Sequence, residues 1–291
     1  MGAMKDLRGA NAILTGASRG LGMLMADALA AEGINLALAA RSADGLEKVR
    51  ADVASHDVKV VCIPTDVSDH AQLDLLVTRA SEELGPIDIL VNNAGIEATH
   101  PFDDYPPEQI VRMIEVNLTA PMLLTRKLLP GMLRRERGHI VNIASLAGKG
   151  GFPYQAPYAS TKAALVMFTH VLRAELVDTP VGCSVVCPGF VADEGMYADM
   201  QRQTGVRASR LLGVSKPEKV AEAVVKAIKT NASELIVNPS PMRPVIAMAQ
   251  LFPDVAPRVM KTFGVLRLAR RVVAAQSAER TEAEQPEVER P

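Results

Sequence analysis

Short apolar runs alternate with longer stretches in which apolar positions recur at helical spacing, from residue 10 to residue 237. The runs are rich in Val, Ile, Leu and Ala, which is typical of strands buried on both faces of a parallel sheet. The pattern predicts strands over residues 10–14, 34–40, 58–63, 87–91, 139–143, 181–186 and 235–237. It predicts a helix that ends near residue 31, one that begins near 42, and others over 69–84, 108–135, 158–176 and 217–230.

This βαβ alternation predicts an α/β fold, a single-domain Rossmann-type doubly wound parallel sheet with helices on both faces. Ligands of such sheets bind at the carboxyl ends of the strands. Pro239 and Pro241 break the chain after the last strand. We therefore expect one domain over residues 7–240, a helical C-terminal extension over 241–275 and a disordered, Glu-rich tail over 276–291.

Composition excludes several classes of protein. The chain has 291 residues, of which 48% are hydrophobic and 22% charged, and its net charge of −1 gives no reason to expect nucleic-acid binding. No apolar run reaches the roughly 20 residues that span a bilayer, and the first strand begins too early for a signal peptide, so we expect a cytoplasmic protein. The three cysteines lie in apolar runs and are expected to be free thiols. The five histidines lack the spacing of metal ligands, so no metal site is expected.

The turn between the first strand and the first helix reads TGASRGLG, from Thr15 to Gly22. Glycines allow positive φ there and let the backbone approach a pyrophosphate, which the following helix N-terminus stabilises. A glycine-rich turn without a ligand is the alternative. The place of the turn between a first strand and a helix favours dinucleotide binding.

A candidate proton-transfer site lies in the second half of the chain. Tyr158 and Lys162 are four residues apart in a predicted helix and therefore share one of its faces, and Ser145 precedes them. A fixed ammonium one turn away favours the phenolate and lowers the pKa of a tyrosine, which is near 10 in a free side chain. The pair alone is weak evidence, since an exposed helix face can carry it by chance.

Three further motifs occur in order, namely NNAG at residues 92–95, Asn117 in the long predicted helix, and a Pro-Gly pair at 188–189. With the glycine turn and the candidate proton-transfer residues, they make the chain resemble the short-chain dehydrogenase/reductase family over roughly residues 7–240. The resemblance implies an oxidoreductase that interconverts a ketone or aldehyde and an alcohol by hydride transfer to or from a nicotinamide cofactor.

The resemblance implies a role for each catalytic residue. Tyr158 would give a proton to the carbonyl during reduction and take it back during oxidation. Lys162 would lower the pKa of Tyr158 and bind the nicotinamide ribose, and Ser145 would stabilise charge on the carbonyl oxygen. Asn117 would hold a water that connects Lys162 to solvent. The structural alternatives are that Asn117 caps a helix and Ser145 ends a strand.

The resemblance also implies a cofactor site. Asp66 and Val67 would contact the adenine, and residues 93–95 would pass under the adenosine ribose. Asp193 stands where the family usually has Thr, and we expect its loop to turn it away from the phosphates. The expected cofactor-binding residues are Gly16, Ser18, Arg19, Gly20, Leu21, Arg41, Asp66, Val67, Asn93, Ala94, Gly95, Tyr158, Lys162, Pro188, Gly189 and Val191.

The end of the second predicted strand indicates which cofactor is used. It reads Leu-Ala-Ala followed by Arg41, with alanine where NAD-specific relatives usually have an acidic residue. Arg41 and Arg19 suit a 2′-phosphate, which guanidinium groups bind with charge-assisted hydrogen bonds. The sequence thus predicts NADP(H), and carbonyl reduction as the cellular direction. The alternative is that both arginines are solvated surface residues.

The sequence does not name a substrate. Residues 194–213 are expected to form a lid that carries Met196, Tyr197, Met200, Leu211 and Leu212, which is compatible with an apolar alcohol or ketone. The alternative is that these residues only pack the loop on the core. Further candidates for the pocket wall are Glu97, Phe152 and Tyr154.

Two other functions stay open at this stage. One is a non-catalytic NADP(H)-binding regulatory or scaffold protein, which would not need Tyr158 and Lys162 together. The other is the chemistry of an epimerase or dehydratase, whose representatives tend to have a larger C-terminal substrate domain.

Apolar surface beyond what one sheet face can cover predicts a homodimer or homotetramer. In the helix over 158–176 such residues are Val166, Phe168, Val171 and Leu172. The C-terminal extension has a basic amphipathic stretch over 258–273, in which Val259, Phe263 and Leu266 share a face and Arg267, Arg270 and Arg271 add charge. A peripheral membrane helix is one interpretation of it. An arm that packs on the protein and walls the substrate pocket is the favoured one, because prolines interrupt the apolar stretch.

Overall fold

The computed structural model describes residues 2–193, 195–207, 213–262 and 264–284. Within this part of the chain, seven parallel strands form one sheet in the order β3-β2-β1-β4-β5-β6-β9, and β7 pairs separately with β8. The strands are β1 (Asn11–Thr15), β2 (Asn35–Ala40), β3 (Val60–Pro64), β4 (Ile89–Asn92), β5 (Gly138–Ile143), β6 (Val181–Pro188), β7 (Phe190–Val191), β8 (Val214–Ser215) and β9 (Glu234–Val237). The predicted α/β, doubly wound parallel sheet is confirmed.

Helices connect the strands and cover both faces of the sheet. Ser42 caps the second helix by accepting a hydrogen bond from Gly45 N at 3.1 Å, and Asp69 caps the third by accepting one from Ala71 N at 2.9 Å. The helices are α1 (Leu21–Ala31), α2 (Ala43–Asp52), α3 (His70–Leu84), α4 (Pro107–Ile114), α5 (Ala120–Arg134), α6 (Ala147–Gly150), α7 (Ala156–Glu175), α8 (Met196–Thr204), α9 (Glu218–Thr230), α10 (Met242–Leu251), α11 (Ala256–Thr262) and α12 (Val265–Glu284).

The core consists of two apolar layers, one on each face of the sheet. On one face, Met25 and Leu29 of α1 pack with Val224 of α9. On the other, Leu73 of α3 and Leu124 of α5 pack with strand residues. Because both faces are covered, the central strands are apolar throughout rather than alternating.

Strand order reverses at β1, which pairs with β2 on one side and with β4 on the other. The connections that follow β1 and β4 therefore leave the sheet in opposite directions and open a crevice at its carboxyl edge. The glycine turn follows β1 and the NNAG segment follows β4, so both candidate motifs lie at this crevice.

The helix predicted over residues 108–135 is interrupted by a π-helical segment, Glu115–Thr119, between α4 and α5. Pro121 has no N–H to donate to the carbonyl of Asn117 four residues earlier, and this favours the wider turn. π-Helical turns are frequent at functional sites. Here the turn carries Asn117, one of the candidate catalytic residues.

The C-terminal extension is helical and packs against the domain, as the packed-arm interpretation predicts. Among the residues of α12 whose burial is described, Leu268, Ala269 and Val272 are buried, whereas Leu266 of the predicted apolar face is half-buried. Phe263 lies outside the described residues. α12 extends to Glu284, past the boundary expected at residue 276, and residues 285–291 are not described. No helix among the described residues is long and apolar enough to cross a membrane.

Candidate active site

The glycine turn brings the backbone close to the NNAG segment. Gly16 has a φ of 66° and Gly20 a φ of 57°, both in the region that favours glycine. A Cβ on Gly16 would lie 2.8 Å from Ala94 Cα, and one on Gly22 would lie 2.0 Å from the Gly16 carbonyl oxygen. No other residue fits this turn, which ends at the N-terminus of α1.

Thr15 fastens the two motifs to each other. Its Oγ1 accepts hydrogen bonds from the backbone N–H groups of Asn93 and Ala94, both at 3.0 Å. In return, Asn93 Nδ2 donates to the carbonyl oxygens of Thr15 at 3.0 Å and Gly16 at 3.1 Å. Sequence reasoning placed Thr15 in the motif without assigning it a function. These four hydrogen bonds fix the shape of the turn.

Asn117 is fully buried, and its side chain is occupied by the main chain of Ile96. Its Oδ1 accepts from Ile96 N at 2.8 Å, and its Nδ2 donates to Ile96 O at 2.8 Å and to Thr161 Oγ1 at 3.2 Å. The amide therefore does not cap a helix, which was the structural alternative. It holds the segment after the NNAG motif against α7.

Lys162 is buried on the same face of α7 as Tyr158. Its Nζ donates to the carbonyl oxygen of Ile143 at 2.8 Å and lies 5.8 Å from the centroid of the Tyr158 ring. Burial lowers the pKa of Lys162 to about 8, since the interior disfavours its charged form.

Tyr158 is 7% exposed and packs beside Tyr105 and Met113. Burial raises the pKa of Tyr158, the nearby Glu97 carboxylate raises it further, and a hydrogen bond with Ser145 lowers it. Burial is the largest of these influences, so the pKa of Tyr158 lies above its ordinary value. The phenol is protonated at neutral pH, which is the form that can donate a proton to a carbonyl.

One cleft of about 1200 Å³ connects these groups at the carboxyl edge of the sheet. Every predicted cofactor-binding residue lines it, together with Ser145, whereas Asn117 lies behind its wall. The lining includes Gly16, Ser18, Arg19, Gly20, Leu21, Arg41, Asp66, Val67, Asn93, Ala94, Gly95, Ser145, Tyr158, Lys162, Pro188, Gly189 and Val191.

The residues of this cleft fit a dinucleotide. The turn offers backbone N–H groups at a helix N-terminus, in space that a Cβ would fill. Arg41, at the end of β2, is exposed and forms no ion pair with a described residue. Arg19 instead reaches the lid helix α8, where its Nη1 lies 3.1 Å from Asp199 Oδ2. Asp66 is held by Arg112, with Nη2 and Oδ2 2.5 Å apart.

The other end of the cleft is apolar and partly aromatic. The rings of Phe152 and Phe190 lie 5.9 Å apart, and those of Phe190 and Tyr197 4.9 Å apart. Met196, Tyr197 and Met200 of the predicted lid line this end, while Leu211 and Leu212 lie outside the described residues. The prediction that Tyr154 lines the pocket is wrong, since its carbonyl instead accepts a hydrogen bond from His100 N at 2.9 Å.

Asp193 is exposed at a φ of 59°, so the loop does turn it away from the cleft, as expected. The C-terminal arm, defined here as residues 241–276, closes the apolar end. The sequence predicts this arm as a wall of the substrate pocket but does not indicate which of its residues line it. Those that line the cleft are Pro241, Met242, Val245, Ile246, Ala249, Met260, Val265, Val272 and Gln276.

Comparison with known proteins identifies the family. The sequence profile described as short chain dehydrogenase matches residues 10–204. This chain belongs to the short-chain dehydrogenase/reductase family. It is 45% identical over 268 residues to the ketoacyl reductase HetN of Nostoc, covering 90% of this chain and 92% of the relative. It is 33% identical over 204 residues to D-beta-hydroxybutyrate dehydrogenase of Cupriavidus necator, covering 70% and 78% of the two chains.

A solved structure of similar fold supports this family assignment. An actinorhodin polyketide ketoreductase variant crystallised with NADPH superimposes with a TM-score of 0.73 at 30% identity, covering 81% of this chain and 97% of the other. As a member of the family, the protein is an oxidoreductase that acts on carbonyl and alcohol groups by hydride transfer. The described residues hold no group of three or more His, Cys, Asp or Glu arranged to bind a metal ion.

Proposed function

We propose that the protein is an NADP(H)-dependent reductase of apolar ketones or aldehydes, with Tyr158 as the general acid. The observation that carries the proposal is one cleft with two ends. Tyr158, Ser145 and Lys162 converge in its middle, and Arg41 lies at the end beside the glycine turn, without an ion pair to any described residue.

The protein's own groups supply proton transfer and orientation. The protonated phenol of Tyr158 donates to the carbonyl oxygen, and Ser145, its hydrogen-bond partner, stabilises charge there. Lys162 binds the nicotinamide ribose and, with a pKa near 8, returns the proton to Tyr158 after each turnover. Bound NADPH supplies the hydride.

Asn117 acts through position rather than contact with substrate. The Asn117 side chain is already hydrogen-bonded to the main chain of Ile96. The water that connects Lys162 to solvent is therefore assigned to the main-chain carbonyl of Asn117. Pro121 cannot donate the usual helical hydrogen bond to that carbonyl, which favours its use by a water. In this proposal the π-helical segment positions the carbonyl for the proton path.

The preference for NADP(H) rests on charge at the end of β2. Ala40 stands where a carboxylate would bind the ribose hydroxyls of NAD and repel a phosphate. Arg41 lies beside it in the cleft and has no ion pair with a described residue. The related polyketide ketoreductase was crystallised with NADPH, which supports the same choice.

The end of the cleft opposite Arg41 supports the proposal of an apolar substrate. Aromatic residues and the C-terminal arm line it, and the relative HetN is named as a ketoacyl reductase. A carbonyl on an acyl or other apolar chain fits such a wall, with the chain lying against the arm.

A panel of ketones, aldehydes and their alcohols, followed by the absorbance of the reduced nicotinamide, tests this proposal. We expect reduction of apolar members with NADPH at a kcat/KM that exceeds the value with NADH. Tight binding of NADPH without turnover of any panel member would favour the alternative, a non-catalytic NADP(H)-binding scaffold.

We also infer a homodimer or homotetramer. Val111 on α4 and Met167 on α7 are 59% and 62% exposed, and Val171, about one helical turn after Met167 on the same face of α7, is 51% exposed. These side chains leave apolar surface on α4 and α7 that a second copy can cover. Light scattering at micromolar concentration gives the mass, and a monomer would contradict the inference.

A further inference from the structure

Glu97 is a carboxyl group in the wall of the cleft that the proposed mechanism does not use. The chain on both sides of it is fastened. Asn117 bonds the N and O atoms of Ile96, each at 2.8 Å, and Gln155 Nε2 donates to Thr99 Oγ1 at 3.0 Å. These bonds fix the main chain on both sides of Glu97, and the side chain lines the cleft from it.

The hydrogen-bond partner of Glu97 is a neutral amide. Glu97 Oε2 accepts a hydrogen bond from Gln155 Nε2 at 3.3 Å, and no Lys, Arg or His of the described chain forms an ion pair with it. Asp199, another carboxylate that lines the cleft, lies 3.1 Å from Arg19 and 2.5 Å from Arg202. The Lys162 ammonium acts on Glu97 through its field, without an ion pair.

The surroundings of Glu97 bring the pKa of its carboxyl close to neutral pH. Burial raises the pKa of Glu97 to about 7, the Gln155 hydrogen bond lowers it, Asp199 raises it and Lys162 lowers it. Glu97 in turn raises the pKa of Tyr158, so the two groups interact directly across the cleft. The titratable groups that interact with Glu97 are Tyr105, Tyr158, Lys162 and Asp199.

We propose that Glu97 determines specificity by excluding substrates that carry an acidic group beside the reacting carbonyl. The cleft then takes neutral ketones and the esters of oxo acids rather than the free oxo acids. The inference rests on the proposed function, because a carbonyl against Tyr158 brings its substituents near Glu97. Two carboxylates in a partly dehydrated site repel each other, and discrimination by such repulsion needs no added contact with the favoured substrate.

The test compares ethyl acetoacetate, a neutral ester, with acetoacetate, its acid. For wild type and Glu97→Gln, kcat/KM with NADPH is measured for both at pH 8.5, where the carboxyl of Glu97 is ionised. We expect the ester-to-acid ratio to fall by at least about 10-fold in Glu97→Gln, through a lower KM for acetoacetate. Reduction of the ester itself should change little.

The pH dependence separates repulsion from a change of shape. Acetoacetate stays ionised from pH 6 to pH 8.5, whereas Glu97 loses its proton within this range. The wild-type ester-to-acid ratio should therefore rise with pH through about 7, and Glu97→Gln should lack the rise at that pH. Lys162, with a pKa of about 8, also loses its charge in this range and weakens the binding of acetoacetate in both proteins, so the difference between the two pH profiles is the quantity that reports on Glu97.

Glu82→Gln, the same change on the exposed face of α3, is the matched control and should leave the ratio as in wild type. Calorimetric titration of both ligands into the NADPH complex measures the same preference without turnover. If wild type reduces neither compound but binds the ester in preference and Glu97→Gln does not, the proposed reaction fails and this inference stands. A ratio within twofold of wild type in Glu97→Gln, by kinetics and by binding, would overturn it.

Discussion

The two ends of the cleft are built from different parts of the chain. The cofactor end consists of two short motifs whose main chains touch, with Thr15 Oγ1 accepting from two N–H groups of the NNAG segment at 3.0 Å each. The substrate end consists of side chains from four segments far apart in the sequence, over residues 96–99, 146–155, 190–203 and 241–276. Backbone atoms form one end and variable side chains the other.

This difference explains how one fold keeps its chemistry and changes its substrate. A Cβ at Gly16 or Gly22 would collide with main-chain atoms, so the cofactor end admits few substitutions. At the substrate end, Phe152 or Met260 can change without moving the sheet, because the segments that carry them lie outside its core. Tyr158 and Lys162 lie where the two ends meet.

The largest effect is expected at that junction. Tyr158→Phe removes the transferable proton and little volume, so kcat should fall by about 100- to 10,000-fold while the Kd for NADPH stays within a few-fold of wild type. Single-turnover kinetics and fluorescence titration measure the two quantities. Lys162→Ala should damage both, since that residue serves both ends.

Tyr154→Phe is the matched control, because Tyr154 lies close by in sequence but does not line the cleft. It should keep wild-type turnover. Near-normal kcat in Tyr158→Phe would remove Tyr158 from the role of general acid.

Removal of the C-terminal arm should affect the substrate end alone. A chain that ends at Pro241 loses the buried side chains of Ile246, Leu268 and Val272. Each such side chain stabilises the fold by about 1.5–3 kcal/mol, partly offset by the ordering of the helices, so we expect Tm to fall by about 3–6 °C. kcat/KM for apolar ketones should fall by about 10-fold or more, with NADPH affinity unchanged.

A chain that ends at residue 276 keeps the packed part of the arm and should behave as wild type. Calorimetry and steady-state kinetics compare the two truncations. Sedimentation with anionic liposomes tests the membrane interpretation of the same segment, and strong binding that depends on Arg267, Arg270 and Arg271 would show that the arm serves a membrane surface.

Arg41→Ala should affect the cofactor end alone. A guanidinium bound to a phosphate contributes about 1.5–3 kcal/mol, so the Kd for NADPH should rise by roughly 10- to 100-fold while the Kd for NADH is unchanged. Arg50→Ala, on the outer part of α2 and paired with Glu47, is the control. Unchanged selectivity in Arg41→Ala would mean that this arginine is a solvated surface residue.

The cofactor end could be predicted from the sequence because its constraints are local. Glycines at fixed spacing after a buried strand identify a backbone-built site, and all sixteen predicted cofactor residues line one cleft. The seven strands of the main sheet were also predictable within one or two residues, since a sheet covered on both faces leaves continuous apolar runs, whereas the two-residue strands β7 and β8 were not. The π-helical segment was missed, although Pro121 is a signal for it.

The substrate end could not be predicted in the same way. Which residues of α12 are buried depends on its contacts with α8, and helical spacing alone does not specify those contacts. The carbonyl of Tyr154 accepts a hydrogen bond from the N–H of His100, and these residues are over fifty positions apart in the sequence. The pairing of Arg19 with Asp199 joins the first turn to the lid, and no local pattern indicates it.

That pairing leads to the smallest predicted effect, because it links the two ends. Arg19 Nη1 lies 3.1 Å from Asp199 Oδ2, and its side chain is 80% exposed. An exposed ion pair contributes about 0.2–1 kcal/mol, so Asp199→Asn should free Arg19 and tighten NADPH binding by about 1.5- to 5-fold, with no change for NADH. Asp193→Asn, an exposed carboxylate just before the lid helix, should change neither Kd. Weaker NADPH binding in Asp199→Asn would reverse the interpretation, because the ion pair would then hold Arg19 in place for the phosphate instead of away from it.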